Sequence, residues 1–346
     1  MNTIGRNITL TTFGESHGEA IGGILDGFPA RVKIDLDAVQ RELARRRPGQ
    51  SHITTSRQET DQVRVLSGMF NGETTGTPIG FIIENTNQRS GDYEEMAHVF
   101  RPSHADYTYQ AKYGVRDYRG GGRASARETA VRVVAGAFCK QWLAMQGISI
   151  SAWTQQIGSV EMQCHSVDVE ENIVRCPDPE AAQKMIGLIE QIKSEGDTVG
   201  GIVGCRISGV PAGVGEPHFD RLNARLGSAM FSIPAVKGVE FGMGFAGCTH
   251  RGSEMIDEFA VGNAGQVYTR TNHSGGIQGG ISNGMDICFR VGFKPVATLL
   301  REVSTVTDNG EETVLKARGR HDACVVPRAV PVVEAMAALT IADLLK

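Results

Sequence analysis

The sequence has few aromatic residues, little net charge and no Cys-x-x-Cys pair. Aromatic residues make up 6% of the 346 residues, and the formal net charge is −4. Binding to long polynucleotides usually needs a basic surface with interleaved aromatic side chains, so this class of protein is disfavoured. The seven cysteines are scattered and odd in number, without metal-ligand spacing. We therefore expect reduced thiols and no bound metal.

Long apolar runs are also missing. No segment approaches the roughly 20 apolar residues of a membrane span, and the N-terminus lacks the apolar run of a signal peptide. No internal repeat, low-complexity stretch or Pro/Ser-rich linker divides the chain. We expect a cytoplasmic protein without a membrane partner, folded as one domain over 1–346, with the charged stretch 160–197 as a possible peripheral excursion.

Periodicity predicts a mixture of helices and strands. Apolar residues recur at helical spacing in four segments, and short strand-like runs lie between them, often flanked by glycine. The predicted helices are 35–47, 126–146, 179–195 and 328–345, and the strand-like runs are 6–12, 19–26, 78–84, 199–208 and 286–293. Because the two types do not alternate strictly, the pattern favours an α+β fold over a doubly wound sheet.

Glycine is unusually frequent, and arginine is concentrated in the first part of the chain. Glycine accounts for 43 residues, and three of them precede a predicted helix in 118–128, Tyr-Arg-Gly-Gly-Gly-Arg-Ala-Ser-Ala-Arg-Glu. Ser125 and Glu128 have capping-box spacing, so Ser125 is the predicted N-cap. A glycine-rich helix start with nearby guanidinium groups suits a small anion. Arginines crowd this first part of the chain: Arg45, Arg46, Arg47, Arg57, Arg89, Arg101, Arg116, Arg119, Arg123 and Arg127.

Three further segments hold histidine beside other polar residues. His17 lies in 12–18, Thr-Phe-Gly-Glu-Ser-His-Gly, and His104 lies in 101–107, Arg-Pro-Ser-His-Ala-Asp-Tyr. The third segment, 317–324, reads Ala-Arg-Gly-Arg-His-Asp-Ala-Cys. A histidine next to a hydroxyl group and glycine suits proton transfer near neutral pH, although each segment alone is equally compatible with a structural turn.

Two nucleotide-binding patterns are excluded by their context. The glycine corner lacks the Gly-Lys-Ser/Thr ending of a P-loop. Residues 242–247 match Gly-x-Gly-x-x-Gly, but no apolar helix follows and no βαβ unit surrounds them. We therefore predict no nicotinamide-dinucleotide site.

In this order, the segments resemble the chorismate synthase family. The resemblance rests on three signatures: 14–18 (Gly-Glu-Ser-His-Gly), 121–129 (Gly-Gly-Arg-Ala-Ser-Ala-Arg-Glu-Thr) and 319–322 (Gly-Arg-His-Asp). Further family-like stretches are 45–49, 84–90, 112–118, 213–217 and 272–276. The resemblance extends from residue 4 to 337 and implies a β-α-β sandwich of antiparallel sheets with helices on the outside, assembled as a homotetramer.

The resemblance also implies a reaction. Members of the family are carbon–oxygen lyases that convert 5-enolpyruvylshikimate 3-phosphate to chorismate and phosphate, the last step of the shikimate pathway. This 1,4-anti elimination requires reduced FMN, which lends electron density as the C–O bond to phosphate breaks and recovers it as hydrogen leaves C6. Some members reduce their own flavin with NADPH. Since no dinucleotide site is predicted, we expect this chain to depend on an external flavin reductant.

The family pattern assigns roles to individual residues. His17 would protonate the departing phosphate, His104 would stabilise or protonate the flavin, and Asp322 would act near flavin N5 in removing the C6 hydrogen. Substrate-binding residues would be Arg46, Ser125, Arg127 and Arg320. Flavin-binding residues would be Arg123, Ala124, Ser125, Pro234, Ala235, Gly279, Lys294, Pro295, Val296, Ala297, Thr298 and Arg320, with Arg123 at the boundary between flavin and substrate.

Some positions depart from the commonest family pattern. Pro234 stands where many members have asparagine, and 296–298 is less rich in hydroxyl groups than usual. Flavin contacts made by the backbone would survive these changes. Two other classes of function stay open at this point: a flavin- or phosphate-binding family member without catalysis, and an RNA-binding module that uses the arginine face.

Overall fold

The computed structural model describes residues 1–55, 59–86, 96–316 and 321–346, and its strands form two main antiparallel sheets. The described strands are β1 (Thr3–Ile4), β2 (Thr9–Gly14), β3 (Ala20–Asp26), β4 (Val63–Val65), β5 (Met69–Phe70), β6 (Glu73–Thr74), β7 (Ile79–Glu84), β8 (Ser149–Ile157), β9 (Val160–Glu161), β10 (Gly201–Ser208), β11 (Val236–Phe241), β12 (Phe259–Val261), β13 (Val267–Thr269), β14 (Ile277–Gln278), β15 (Ile281–Ser282), β16 (Ile287–Phe293), β17 (Glu302–Val306) and β18 (Glu312–Lys316). The first sheet has the order β1-β2-β3-β7-β4 and the second the order β11-β16-β10-β8-β9. The remaining strands pair as short hairpins.

The helices differ in how much of their surface is apolar. They are α1 (Leu36–Arg46), α2 (Asp106–Tyr113), α3 (Thr129–Ala144), α4 (Pro179–Ser194), α5 (Leu222–Phe231), α6 (Gly252–Met255) and α7 (Val326–Leu345). Helix α1 is amphipathic and buries Val39 and Leu43, and its N-cap Asp35 accepts hydrogen bonds from the backbone N–H groups of Asp37 and Ala38. Helix α7 is apolar on all sides, and nearly all of its residues are buried.

Helices α3 and α7 lie between the two sheets. Helix α3 packs against β2, β3 and β7 of the first sheet, α7 packs against β8 and β10 of the second, and the two helices pack on each other. A helix that is apolar all round gains most when it is covered on every side. The α+β class and the β-α-β sandwich are therefore confirmed. The expectation of helices on the outside is wrong for α3 and α7, which form the middle layer.

The contact between α3 and α7 is close because of one glycine. A Cβ placed on Gly136 of α3 would lie 2.4 Å from the Cα of Ala335 in α7. Only a residue without a side chain allows this separation, and the facing residue is itself the small alanine. The pair brings the two helix backbones together at the centre of the middle layer.

Helix α7 contains Pro331, which cannot donate a backbone hydrogen bond. The carbonyl four residues earlier, that of Pro327, would otherwise lose its partner. The guanidinium group of Arg175 donates to this carbonyl at 2.9 Å. The interior proline is thus tolerated because a side chain from another segment replaces the missing N–H group.

The predicted elements agree with the structure apart from their ends. The predicted strand 6–12 is observed at Thr9–Gly14, and the predicted helix 126–146 begins only at Thr129. Residues 122–128 instead form two short 3₁₀ turns. This difference matters because the turns carry several of the predicted site residues.

The segment 160–197 contributes to the main core. Val174, Cys176, Met185 and Ile189 are fully buried within it, and α4 packs against β8 and β9. Helix α4 begins at Pro179, where the side chain of Asp178 caps two backbone N–H groups. The organisation as one domain with an excursion over these residues stays a prediction.

Candidate active site

Two adjoining cavities lie beside the 122–128 turns and the start of α7. We call the larger one, of about 520 Å³, the wide cavity, and the smaller one, of about 210 Å³, the narrow cavity. Both are lined by Arg46, His104, Ala124, Ala126, Val296, Ala297, Val325 and Arg328. Because they share this wall, molecules bound in the two cavities would lie side by side.

The 122–128 turns place alternating residues toward different cavities. Arg123 lines the wide cavity, Ser125 and Arg127 line the narrow one, and Ala124 lines both. The guanidinium of Arg123 donates to the carbonyls of Gly14 and Thr12 at 3.0 and 3.2 Å, so this side chain is tied to the end of β2. It thus lies on the wide-cavity side of the shared wall.

Ser125 is an N-cap, as predicted, but the predicted capping box between Ser125 and Glu128 is not formed. The Ser125 hydroxyl accepts a hydrogen bond from the backbone N–H of Arg127 at 3.2 Å. The carboxylate of Glu128 does not return to Ser125. It accepts from the Thr12 hydroxyl at 3.0 Å and pairs with Arg132 at 2.9 Å. Glu128 is buried, and a buried carboxylate is better stabilised by a cation than by a backbone amide.

Arg46 and Arg127 meet in the narrow cavity. Both guanidinium groups contact the carboxylate of Asp61, from Arg46 at 2.8 Å. Burial lowers the pKa of Arg46, and the charge of Asp61 opposes this. For Asp61, burial by itself would raise the pKa. The positive charges of Arg46 and Arg127 outweigh this effect and hold the pKa of Asp61 below its ordinary value. The corner therefore keeps two cations and one anion, with a net positive charge.

His17 lies at the narrow cavity beside the glycine corner. Its side chain is buried, and its Nδ1 atom lies 3.1 Å from the hydroxyl oxygen of Ser16. Gly120 has a φ of 81°, and a Cβ at this position would lie 2.2 Å from Nδ1 of His17. The glycine corner therefore serves a packing purpose, because it leaves room for the imidazole ring.

His104 is held by a second buried carboxylate. Its Nδ1 atom lies 3.1 Å from Oδ1 of Asp106, and Arg101 donates two side-chain hydrogen bonds to the same carboxylate, each of 2.7 Å. Burial opposes ionisation of Asp106, but the hydrogen bonds from Arg101 and His104 outweigh it and lower the pKa. This contact with Asp106 holds the imidazole at the shared wall.

Asp322 also lines the narrow cavity. One carboxylate oxygen accepts from the backbone N–H of Thr55 at 2.9 Å, and the other pairs with Arg328 at the start of α7. The neighbouring His321 is largely buried, which lowers its pKa to about 4, with Arg101 and His104 adding to the effect. A neutral imidazole and an anchored carboxylate therefore face the same cavity.

Comparison with known proteins agrees with this arrangement. The family model for chorismate synthase matches residues 8–345. The chain belongs to the chorismate synthase family. Chorismate synthase of Phocaeicola vulgatus is 60% identical over 99% of this chain and 97% of its own length, and that of Bacteroides fragilis is 59% identical with the same coverage. A crystal structure of chorismate synthase is 32% identical and superposes with a TM-score of 0.78, covering 99% of this chain and 92% of the other.

Most positions that chorismate synthase resemblance assigns to flavin lie around the wide cavity. Pro234, Ala235 and Lys294 line it together with Val296 and Ala297. Thr298 lines the narrow cavity, and Pro295 lines a shallow groove next to Lys294. Gly279 lies in the turn between β14 and β15 and is not among the residues found to line either cavity in the described chain. Arg320 lies outside the described residues.

The wide cavity has a composition that fits FMN. Phe231, Ile233, Val236 and Phe293 give it an apolar wall. Arg123, Arg132, Lys237 and Lys294 add cationic groups. Burial lowers the pKa of Lys294, with the nearby Lys237 contributing, so an anion there would relieve their mutual repulsion. An apolar ring system that carries a phosphate matches such a lining, and the volume lies in the range of ordinary cofactor sites.

Three functional candidates were missed from the sequence. Asp61 pairs with two arginines, Asn85 accepts from Arg127 at 2.8 Å, and Arg328 pairs with Asp322. Asp61 carries no local signal, and Asn85 lies in the family-like stretch 84–90 without a role of its own being indicated. Arg328 could have been noticed, because it is the one cation within a predominantly apolar predicted helix, 328–345.

Two absences concern only the part of the chain that the structure describes. Within it, no group of three or more histidine, cysteine, aspartate or glutamate side chains could hold a metal ion. No helix there is long and apolar enough to cross a membrane.

Proposed function

We propose that the chain catalyses the 1,4-anti elimination of phosphate from 5-enolpyruvylshikimate 3-phosphate to give chorismate, with reduced FMN as cofactor. One observation carries this proposal: an arginine-rich narrow cavity with three histidines and a carboxylate shares a wall with a wide cavity suited to a flavin. The family membership supports the same reaction. The enzyme would act as a carbon–oxygen lyase on a phosphate ester.

The substrate would bind in the narrow cavity. It carries two carboxylates and a phosphate, and planar guanidinium groups bind such anions in a bidentate manner. Arg46 and Arg127 are held there with a net positive charge, and Ser125 adds a hydroxyl group. Arg320 stays a proposed contact on the basis of the signature 319–322 alone.

FMN would bind in the wide cavity, between its apolar wall and its cationic groups. When bound, reduced FMN supplies the electron density that the elimination requires. Arg123 and Ala124 would contact it at the shared wall, with Pro234, Ala235 and the run 294–298 along the other side. Since Pro234 and Ala235 offer no polar side-chain atoms, their contacts would be made by apolar surface and backbone.

Three side chains would handle protons and orientation. His17 would donate a proton to the departing phosphate, and His104, fixed by Asp106, would face the flavin. Asp322 would accept the hydrogen removed from C6 as a proton, while Arg328 and the Thr55 N–H hold its carboxylate in place. These side chains converge on the shared wall and the narrow cavity, which is the arrangement that proton transfer at one substrate requires.

The deciding assay measures phosphate release from 5-enolpyruvylshikimate 3-phosphate under anaerobic conditions. We expect turnover with chemically reduced FMN and none with oxidised FMN. Absence of turnover with FMN still bound would favour a family member without catalysis. The RNA-binding alternative predicts tight, salt-sensitive binding to polynucleotide, which the net charge of −4 disfavours.

The close approach of Gly120 to His17 gives a test that leaves the histidine itself in place. Gly120→Ala is expected to lower turnover about tenfold or more, because the added Cβ displaces the imidazole from its position. Gly114→Ala is the matched control: Gly114 has a φ of 72°, yet a Cβ there meets nothing within 4 Å. Equal loss of turnover in both variants would show that backbone strain, not the position of His17, is responsible.

The cellular setting stays a prediction. We expect a cytoplasmic homotetramer that receives its reduced flavin from an external reductant. Adding NADPH with oxidised FMN in the same assay tests the last point, since turnover under those conditions would mean that the chain reduces its own flavin.

A further inference from the structure

A single carboxylate, that of Asp61, lies between the two arginines of the narrow cavity. Oδ2 of Asp61 accepts from Nη1 of Arg46 at 2.8 Å, and Oδ1 accepts from Nη1 of Arg127. The Asp61 side chain is completely buried, and each arginine side chain is 3% exposed. Two long cationic side chains from different segments are therefore oriented by one short anionic group.

Asp61 is itself held in place. Its φ is 48°, in the left-handed region that aspartate tolerates better than most residues. Its carbonyl accepts from the side-chain amide of Gln40 in α1 at 3.0 Å. The short side chain therefore projects from a backbone that is anchored to the same helix that carries Arg46.

The two arginines have further fixed partners. Arg46 donates to the Thr129 hydroxyl at 3.2 Å and to the Ala126 carbonyl at 2.8 Å. Arg127 donates to Asn85 at 2.8 Å, and Asn85 in turn donates to the carbonyls of Glu15 and Gly18. This chain of hydrogen bonds connects Asp61 to the loop that carries His17.

Both guanidinium groups still have N–H donors beyond these hydrogen bonds with the described residues. Since both line the narrow cavity, a bound anion can accept from them without replacing Asp61. The carboxylate has two opposite effects on such an anion. It fixes the direction of the donors, which favours an anion of matching shape, and it cancels part of the positive charge, which disfavours any anion.

We propose that Asp61 is a positioning residue that makes the Arg46–Arg127 pair selective for the substrate over simple anions. This inference rests on the proposed function for the identity of the substrate. It does not make Asp61 a catalytic residue, because its carboxylate contacts the arginines and not the reacting atoms.

The test compares Asp61→Asn with the wild-type chain. We expect KM for 5-enolpyruvylshikimate 3-phosphate to rise about 10- to 100-fold, because the donors lose their fixed direction. Inorganic phosphate is expected to inhibit the Asp61→Asn variant more strongly than the wild type, because loss of the carboxylate makes the Arg46–Arg127 pair more positive. FMN binding and kcat should change far less than KM. A merely structural role would weaken the binding of substrate, phosphate and FMN together.

Asp220→Asn is the matched control. Asp220 also accepts from two arginines, Arg6 and Arg225, but it lines neither cavity in the described chain. We expect the KM of the Asp220→Asn variant, and its inhibition by inorganic phosphate, to equal those of the wild type. If Asp61→Asn does not fold, Asp61→Glu keeps the charge but displaces it, and is expected to raise KM without strengthening phosphate inhibition.

Two results would overturn the inference: an unchanged KM in the variants at 61, or parallel weakening of substrate and phosphate. Failure of the proposed function is a separate result, namely no turnover by the wild type. In that case calorimetric titration with inorganic phosphate still compares the wild type with Asp61→Asn. Tighter phosphate binding in the variant would support the charge effect of Asp61, and weaker or equal binding would refute it.

Discussion

Replacing His17 by alanine is expected to lower the rate of phosphate release about 10²- to 10⁴-fold, the usual contribution of one acid–base group. His17 is buried and lines the narrow cavity, as do Arg127 and Asp322. A phosphate that leaves as the C–O bond breaks is a better leaving group when it receives a proton. Because His17 does not line the wide cavity in the described chain, FMN binding should be nearly unchanged.

The measurement combines anaerobic phosphate release with an FMN titration and a thermal unfolding curve. His98→Ala is the control variant, because His98 also pairs with a side chain, Asp308, but is mostly exposed and lines neither cavity in the described chain. We expect that control to behave as the wild type. A His17→Ala chain that has lost FMN binding and melts early would show that His17 is structural. Unchanged turnover would remove it from the mechanism.

The glycine corner shows what local sequence can and cannot predict. Ser125 was predicted as an N-cap because the residue type and position are sufficient for that purpose. The partner of Glu128 was predicted wrongly, since its carboxylate bonds to Thr12, more than a hundred residues earlier, and to Arg132. The capping-box spacing considers only partners a few residues away in sequence. A buried carboxylate instead pairs with a cation that the tertiary fold brings close to it.

The residues that orient the arginines were not predictable for the same reason. Asp61 is far from Arg127 in sequence, and Asn85 contacts both Arg127 and the loop 15–18. The residues around Asp61 do not distinguish it from an ordinary loop residue, and the family-like stretch 84–90 does not indicate which partner Asn85 has. Such contacts arise only when the first sheet, α1 and the 122–128 turns are assembled, so they follow from the tertiary fold.

The layer order could have been read from the helices. The predicted helices 126–146 and 328–345 are apolar on most of their surface, and a helix of this kind is buried on all sides. The expectation that helices lie outside came from the fold resemblance and not from this pattern. In the structure α3 and α7 are the middle layer, with Gly136 against Ala335 at their crossing.

Besides Asp343 near its end, α7 of the middle layer contains a second buried acidic residue, Glu334. Its carboxylate pairs with Lys140 of α3 at 2.7 Å and with Arg45 of α1 at 2.6 Å, and it accepts from the backbone N–H of Ala152 in β8 at 3.0 Å. One side chain thus joins three helices and the second sheet. Arg45 immediately precedes Arg46, so this network also fixes the end of α1 that reaches the cavities.

Glu334→Gln is expected to destabilise the folded chain by about 3–5 kcal/mol, because it removes a buried carboxylate and leaves the partly buried Arg45 and Lys140 without their main counter-ion. Equilibrium urea unfolding at neutral pH measures this change. Glu170→Gln is the control: Glu170 also pairs with Arg45, but its side chain is 43% exposed, and we expect a loss of at most about 1 kcal/mol. Equal losses in both variants would contradict the special position of Glu334.

The same pair of variants predicts a pH dependence. Burial would raise the pKa of Glu334, but Lys140 and Arg45 outweigh it and lower the pKa from 4.5 to about 2. A carboxylate with a lowered folded-state pKa contributes stability above its unfolded pKa, and this contribution is lost as the pH falls toward the folded value. The stability difference between wild type and Glu334→Gln should therefore be constant above about pH 5 and shrink between about pH 4.5 and 2. A difference that stays constant through this range would mean that Glu334 stabilises the middle layer by packing and hydrogen bonding, and not by its charge.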